Sequence, residues 1–254
     1  MTENLNTGIS TLYKILDENV GGEIHPPQLI LISASTGGGK TTILMNLALN
    51  ISEQNIPVFH ITLETTADNI LTRYRRMMGE IMDENIDFMS NSIHDFNNIH
   101  IVKMNAGSTV NEIDQQIELY STPPPALSVL IIDYIDLINN TAVENNYYKI
   151  LEQVIIDIKA LLVKRNIICI TACQQSRSEA HHTDPYNFKY SSQREMLGVL
   201  PDISIAANYN IQTHDVILHI LKNTQGVSGN TVYLEIDPKT TRILDSIRRY
   251  EPNK

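Results

Sequence analysis

The chain has 254 residues, 42% of them hydrophobic and 19% charged, which is enough apolar side chain to bury a substantial core. Nineteen basic residues against twenty-nine acidic ones leave a net charge of −10, so any nucleic-acid contact must come from a local basic surface rather than the global field. No apolar run approaches the roughly 18 residues of a membrane span, and the polar start "MTENLNTG" is neither a signal peptide nor a basic transit segment; a soluble, cytoplasmic, one-domain protein without membrane partners is expected.

The first apolar burst, "LILIS" (29–33), runs into the small-residue loop "ASTGGGKTT", and a helix is predicted over 41–52. "VFHITL" (58–63) is the next strand, with a helix over 67–83 behind it. "IHIVKM" (99–104) precedes a helix over 111–120, and "STPPPALS" (121–128) reads as a rigid surface turn. After the strand "VLIID" (129–133), "YYKILEQVIIDIKALLVKR" (147–165) places apolar residues at 150, 151, 154, 155, 158, 161 and 162, one face at helical spacing. The strands "IICITA" (167–172), "ISIAA" (203–207) and "VILHIL" (216–221) complete the pattern. Strands alternating with helices imply a mostly parallel sheet covered on both faces. Beyond residue 200 the alternation stops, and "VILHILKNTQGVSGNTVYLEID" reads as a hairpin at the sheet's edge. Cys169 and Cys173, in or just after an apolar run with no second pair or His cluster nearby, read as buried thiols rather than zinc ligands.

The phosphate-loop pattern is G-x-x-x-x-G-K-[ST], and Ala34-Ser35-Thr36-Gly37-Gly38-Gly39-Lys40-Thr41 fits it except that Ala34 replaces the first glycine. Glycines let backbone N–H groups converge on phosphate oxygens, and the following helix presents its positive dipole end. Lys40 would reach the β- and γ-phosphates of ATP and Thr41 would ligate Mg²⁺, with Ser35 to Gly39 and Thr42 lining the nucleotide; the alternative is an ordinary glycine turn. Asp133 ends a buried strand, where it could hold magnesium through water, or else cap a helix or pair with a lysine. Asp136 lies beyond the strand edge. Glu64 closes the strand after the phosphate-loop helix, beside the phosphates on the shared carboxyl edge and with room to orient a water; its other role would be to cap the helix starting near Asp68. Gln174 ends a further strand and could offer its amide to a γ-phosphate, with Gln175 as the alternative.

Together these segments resemble the ATPase domain of DnaB-type replicative helicases, the ring-forming branch of the RecA-like P-loop ATPases. "TGISTLYKILDENVGG" is similar to the family's lead-in, "LISASTGGGKTTILMNLALNI" to its phosphate loop and helix, and "HITLETTADNILTRY" to the strand ending in its catalytic glutamate. "VLIIDYIDLI" is similar to its magnesium aspartate strand, "ITACQQSRS" to its glutamine sensor, and "SQREMLGVLPDISIAAN" loosely to a segment with an Arg-Glu pair. "LKNTQGVSG" is similar to the hairpin whose Lys and Arg reach a neighbouring subunit's ATP. The resemblance implies an α/β RecA-like P-loop NTPase fold with a C-terminal β-hairpin. It also implies a hexameric homo-oligomer that turns over ATP with Mg²⁺ between subunits and moves single-stranded DNA through a central channel, with other replication proteins as partners in a bacterial or phage-infected cell. Lys40, Thr41, Glu64, Asp133, Gln174 and Lys222 would carry over. DNA would meet the loops after the Asp133 and Gln174 strands, with Arg177, Lys189 and Arg194 as candidates or as solvated charge; His181 and His182 read as loop residues.

Two departures stand out. The chain begins almost at the ATPase core, with a short lead-in over 1–25, so the resemblance leads one to expect no collar domain. The family's Lys-x-Arg reads Lys222-Asn223-Thr224 here, and loss of a guanidinium facing a developing phosphate charge can cost a factor of about 10³ in turnover, although lysines do this job in recombinase relatives. The leading expectation is an ATP-driven motor on single-stranded DNA. The alternatives are a RecA-like recombination or strand-annealing ATPase and a regulatory nucleotide-binding protein with weak turnover.

Overall fold

Each of the seven apolar bursts becomes a strand in the computed structural model, which describes residues 8–80, 93–120, 128–139, 146–175, 199–210 and 212–245. The strands are β1 (Leu29–Ala34), β2 (Val58–Thr62), β3 (Ile93–Phe96), β4 (Ile99–Lys103), β5 (Val129–Asp133), β6 (Ile168–Gln174), β7 (Ile203–Asn210), β8 (Asp215–Asn223), β9 (Thr231–Ile236) and β10 (Ile243–Leu244). They form a ten-stranded sheet in the order β10-β9-β8-β7-β1-β6-β5-β2-β4-β3. The run from β7 to β4 is parallel, and β8, β9, β10 and β3 join it antiparallel. β1, β2 and β5 are buried along their whole length, as a parallel sheet covered on both faces requires. The expected hairpin is β8–β9, and β10, which the sequence reading lacks, adds one more short strand outside it.

The helices are α1 (Lys14–Val20), α2 (Lys40–Ser52), α3 (Ala67–Met77), α4 (Val110–Tyr120) and α5 (Tyr147–Arg165). Two apolar clusters divide them: Leu16, Val20, Leu44, Ile51, Ile70 and Tyr74 pack with one face of the sheet, and Ile113, Ile117, Val154 and Ile158 with the other. The seven periodic positions of α5 all belong to this second face. Among the described residues no helix is long and apolar enough to cross a membrane. Both Cys169 and Cys173 are buried.

Three differences from the sequence reading have local causes. α3 stops at Met77 rather than running to 83, because Gly79 takes the left-handed region (φ +73) and Glu80 returns its N–H to the Arg75 carbonyl, closing the helix end as glycine does; residues 81–83 lie outside the described residues. β3 is half polar and only four residues long, and it turns into β4 through Asn97 and Asn98, both at positive φ (46° and 54°), which suits a tight hairpin. α1 is a seven-residue helix inside the lead-in, ended by Gly21 at φ 94°. Its last turn rests on the β8–β9 turn: Asn230 Nδ2 donates to Asn19 Oδ1 at 2.7 Å. A Cβ on Gly21 would lie 3.0 Å from the Gln225 carbonyl oxygen. The expected turn over 121–128 falls mostly on residues outside those described.

α2 is buried along nearly all its length from Ile43 onward, so its polar side chains must find protein partners. Asn46 donates to the Thr241 carbonyl and accepts from the Ile243 N–H, and Asn50 donates to the Thr11 carbonyl. The phosphate-loop helix is thus pinned by segments from both ends of the described chain.

Candidate functional site

β1 delivers the chain to the sheet's carboxyl edge at Ala34, and α2 leaves from Lys40. Ala34 is wholly buried and still belongs to the strand: its carbonyl accepts from the Gln175 N–H at 2.9 Å. No glycine is needed there, which explains the departure at the first motif position. The curl comes later, at Gly37 (φ 76°) and Gly39 (φ 82°), in the left-handed region that favours glycine. Gly39 is the residue from which α2 starts, so the free N–H groups of the first turn face the loop.

A cleft of about 300 Å³ opens above this loop, lined by Thr36, Gly37, Gly39, Lys40, Thr41, Thr42, Glu64, Arg73, Tyr134 and Gln174. It lies over the carboxyl ends of β1, β6, β5 and β2, the adjacent strands that deliver these side chains. Lys40 Nζ donates to the Ser35 carbonyl at 3.1 Å and lies 5.6 Å from the Tyr134 ring centre, within cation–π range. Burial lowers its pKa, and Asp136, Cys173, Asp133 and Glu64 oppose that. Ser35 accepts the Gly38 N–H as well. Gln174 Nε2 donates to Thr36 Oγ1 at 2.7 Å, whereas Gln175 turns the other way toward Ser33. That places Gln174, not Gln175, on the cleft. Asp136 lies behind it, its carboxylate accepting the Gln174 N–H at 3.0 Å.

Asp133 ends β5 opposite Thr62 of β2 and is only 1% exposed. Its Oδ1 accepts from Thr41 Oγ1 at 3.2 Å, and its buried Oδ2 has no hydrogen-bond partner among the described residues. A buried carboxylate oxygen without a donor is costly, and a divalent cation beside the Thr41 hydroxyl would satisfy it; the donor set, two hard oxygens, fits Mg²⁺. Burial raises the Asp133 pKa to about 6, with the Thr41 hydroxyl and then Arg73 pulling it down. Since this folded value exceeds that of the unfolded chain, the native state holds the proton more tightly between about pH 4 and 6, and stability falls as pH rises through that window. The loss is about 3 kcal/mol, from roughly two pKa units at about 1.4 kcal/mol each. Asp133→Asn is therefore expected to melt higher than the metal-free wild type at pH 7.5 and to lose the pH dependence, while Mg²⁺ no longer strengthens its nucleotide binding. Thermal melts from pH 4 to 8, with and without Mg²⁺, check both; a variant that melts lower at pH 7.5 overturns the buried-charge account.

Glu64, two residues past the end of β2, is exposed on the cleft wall. The backbone just before it is held by Lys103, at the end of β4, whose Nζ donates to the Leu63 carbonyl at 2.6 Å. Thr66, rather than Glu64, caps α3, accepting the Asn69 N–H. Lys222 is not on this cleft: it lies on β8, where its Nζ donates to the carbonyls of Val199 and Pro201. Arg177, Lys189, Arg194, His181 and His182 lie outside the described residues. Arg73, Tyr134 and Lys103 were not foreseen. Lys103 carried a signal, as a basic residue at the end of a predicted strand on the same edge; Arg73 carried a weaker one, bordering the apolar stripe of a predicted helix.

The DnaB-like helicase C-terminal domain family matches residues 8–188. A replicative DNA helicase DnaB of Buchnera aphidicola subsp. Schizaphis graminum is 27% identical over 192 residues, covering 70% of this chain and 41% of that protein. A probable plasmid replicative DNA helicase of Chlamydia muridarum is 25% identical over 253 residues, 92% of this chain and 54% of that one. The chain thus spans about half the length or less of these relatives. Among solved structures, an isolated ATPase domain superposes with a TM-score of 0.78 at 20% identity over 96% of this chain and 93% of that one. A DnaB-like replicative helicase, solved in a study of its interactions with primase, superposes with a TM-score of 0.79 at 20% identity over 96% and 64%. The sheet order, the phosphate loop on the central strand and these matches agree on a RecA-like fold. With the family's pattern covering most of its length, the chain belongs to the DnaB-like helicase C-terminal domain family.

Proposed function

We propose that residues 1–254 form one ATPase unit of a replicative helicase motor that moves along single-stranded DNA. The observation that supports it most is the meeting of Lys40, Thr41, Glu64 and Gln174 on one cleft, with the unpaired oxygen of Asp133 behind it. Lys40 and the loop N–H groups would hold the β- and γ-phosphates of ATP. Thr41 and Asp133 would hold Mg²⁺, which when bound neutralises phosphate charge. Glu64 would orient a water and accept its proton as the water oxygen bonds to the γ-phosphorus and the bond to the β-bridging oxygen breaks, leaving ADP and phosphate. Gln174, hydrogen-bonded to Thr36, would contact the γ-phosphate and lose that contact on its release.

Between subunits of a homo-oligomeric, expectedly hexameric, ring, Lys222 would act in trans after leaving the Val199 and Pro201 carbonyls. The loops carrying Arg177, Lys189 and Arg194 would meet DNA, in the cytoplasm and alongside other replication proteins. The test is the specific ATPase rate against protein concentration, with and without single-stranded DNA, for the wild type, Lys222→Ala and Thr224→Arg. The rate per subunit is expected to rise as subunits assemble, to rise further with DNA, to drop in Lys222→Ala and to increase in Thr224→Arg, whose planar donors suit phosphate oxygens. Rates independent of concentration, with Lys222→Ala unchanged, would show that each subunit works alone and that no ring motor forms. Concentration-dependent turnover that DNA leaves unchanged would favour the regulatory alternative.

A further inference from the structure

Arg73 enters the cleft from α3, the helix that follows Glu64. Its Nη2 donates to Thr42 Oγ1 at 3.0 Å, and its side chain lines the cleft with Lys40, Thr41 and Glu64. Among the described residues it forms no ion pair, in contrast to Arg165 and Arg242, which meet carboxylates. A guanidinium presents five N–H donors in a rigid fork, and a single neutral hydroxyl uses one of them. Tyr74, its neighbour, is wholly buried against His60, so the helix is locked in rotation and Arg73 is held toward the first turn of α2. Two cations, Lys40 and Arg73, therefore converge on a cleft whose first-turn N–H groups also favour anions.

Resting on the nucleotide reading above, we infer that Arg73 is a phosphate-contacting residue of this cleft, supplying in cis a forked cation to the terminal phosphate of a bound nucleoside triphosphate. Its side is set by the chain: it stands on the element that carries Glu64, where attack on the terminal phosphorus takes place. The charge that grows on the γ-oxygens as the bond breaks would meet Arg73 from the same subunit, in a protein whose hairpin offers Thr224 where its family has an arginine. Arg73 and Lys40 then differ in task. Lys40 anchors any polyphosphate, and Arg73 discriminates the triphosphate from the diphosphate.

The experiment compares affinities for ADP and for a non-hydrolysable ATP analogue, each with Mg²⁺, and single-turnover hydrolysis at low protein concentration, in the wild type, Arg73→Gln, Arg73→Lys and Lys40→Ala. Arg73→Gln is expected to weaken the ATP analogue by about tenfold or more while ADP stays within about threefold, and to slow hydrolysis by about 10²-fold or more. Arg73→Lys should recover part of the affinity and little of the rate, since an ammonium cannot reproduce the fork. Equal weakening of ADP and analogue, or none, in an Arg73 variant while Lys40→Ala still abolishes binding would leave Arg73 as a structural partner of Thr42 and overturn the inference alone. Failure of the wild type to bind either nucleotide would overturn the nucleotide reading itself. If Arg73→Gln does not fold, Arg73→Lys carries the test: an unchanged preference for the triphosphate and an unchanged rate refute the contact.

Discussion

Glu64→Gln is expected to bind ATP about as tightly as the wild type and to hydrolyse it about 10² to 10⁴ times more slowly, the span over which a positioned proton acceptor acts. The substitution keeps shape and removes the group that can take a proton from water. It leaves the fold alone, because Glu64 is exposed and the backbone beside it is held independently, by Lys103 at the Leu63 carbonyl and by Thr66 at the start of α3. Phosphate release under single-turnover conditions, beside an equilibrium nucleotide titration, separates the two effects. Wild-type release by the variant would mean that a different carboxylate receives the proton, and that the end of β2 does not carry the base.

Lys40→Ala should lose nucleotide binding by about a hundredfold or more while melting within a degree or two of the wild type. The ammonium contacts only loop carbonyls, at Ser35 and Ala34, and burial already works against its charge, so its removal takes little from the folded state. Its loss leaves the polyphosphate facing backbone donors without the point charge that anchors it. Equilibrium binding of a fluorescent nucleotide and a thermal melt decide it. Undiminished affinity in a folded Lys40→Ala protein would mean that the curl at Gly37 to Gly39 is a plain turn.

Much of the cleft was legible because a parallel sheet places the ends of its strands on one edge, so a motif at one strand end points to the residues at the others. Asp133, Glu64 and Gln174 each close a strand that apolar runs mark in the sequence. The choice between Gln174 and Gln175 was not legible, since it turns on which of two successive side chains faces the loop, and a one-residue change in strand register reverses it. Arg73 escaped for another reason: its place depends on how α3 is rolled against the sheet, and that roll is set by Tyr74 packing on His60 and Phe96, a contact between segments far apart in sequence. β3 and α1 are too short for periodicity to reveal. Lys222 shows a further limit, because its ammonium is occupied here by its own chain's carbonyls, and a role across subunits is not written in one subunit's pattern.

The seating of α1 on the β8–β9 turn turns the lead-in into a lever. Asn19 grips Asn230 with its amide oxygen, and the absence of a side chain at Gly21 lets the two turns close to backbone contact. Force applied ahead of Lys14 is felt first at the turn between Asn223 and Asn230, at the end of the strand that bears Lys222, and only afterwards, across β7 and β1, at the cleft. The rigging runs the other way as well: when the turn is displaced by whatever it touches, the displacement is delivered to the chain's amino-terminal side without passing through the phosphate loop.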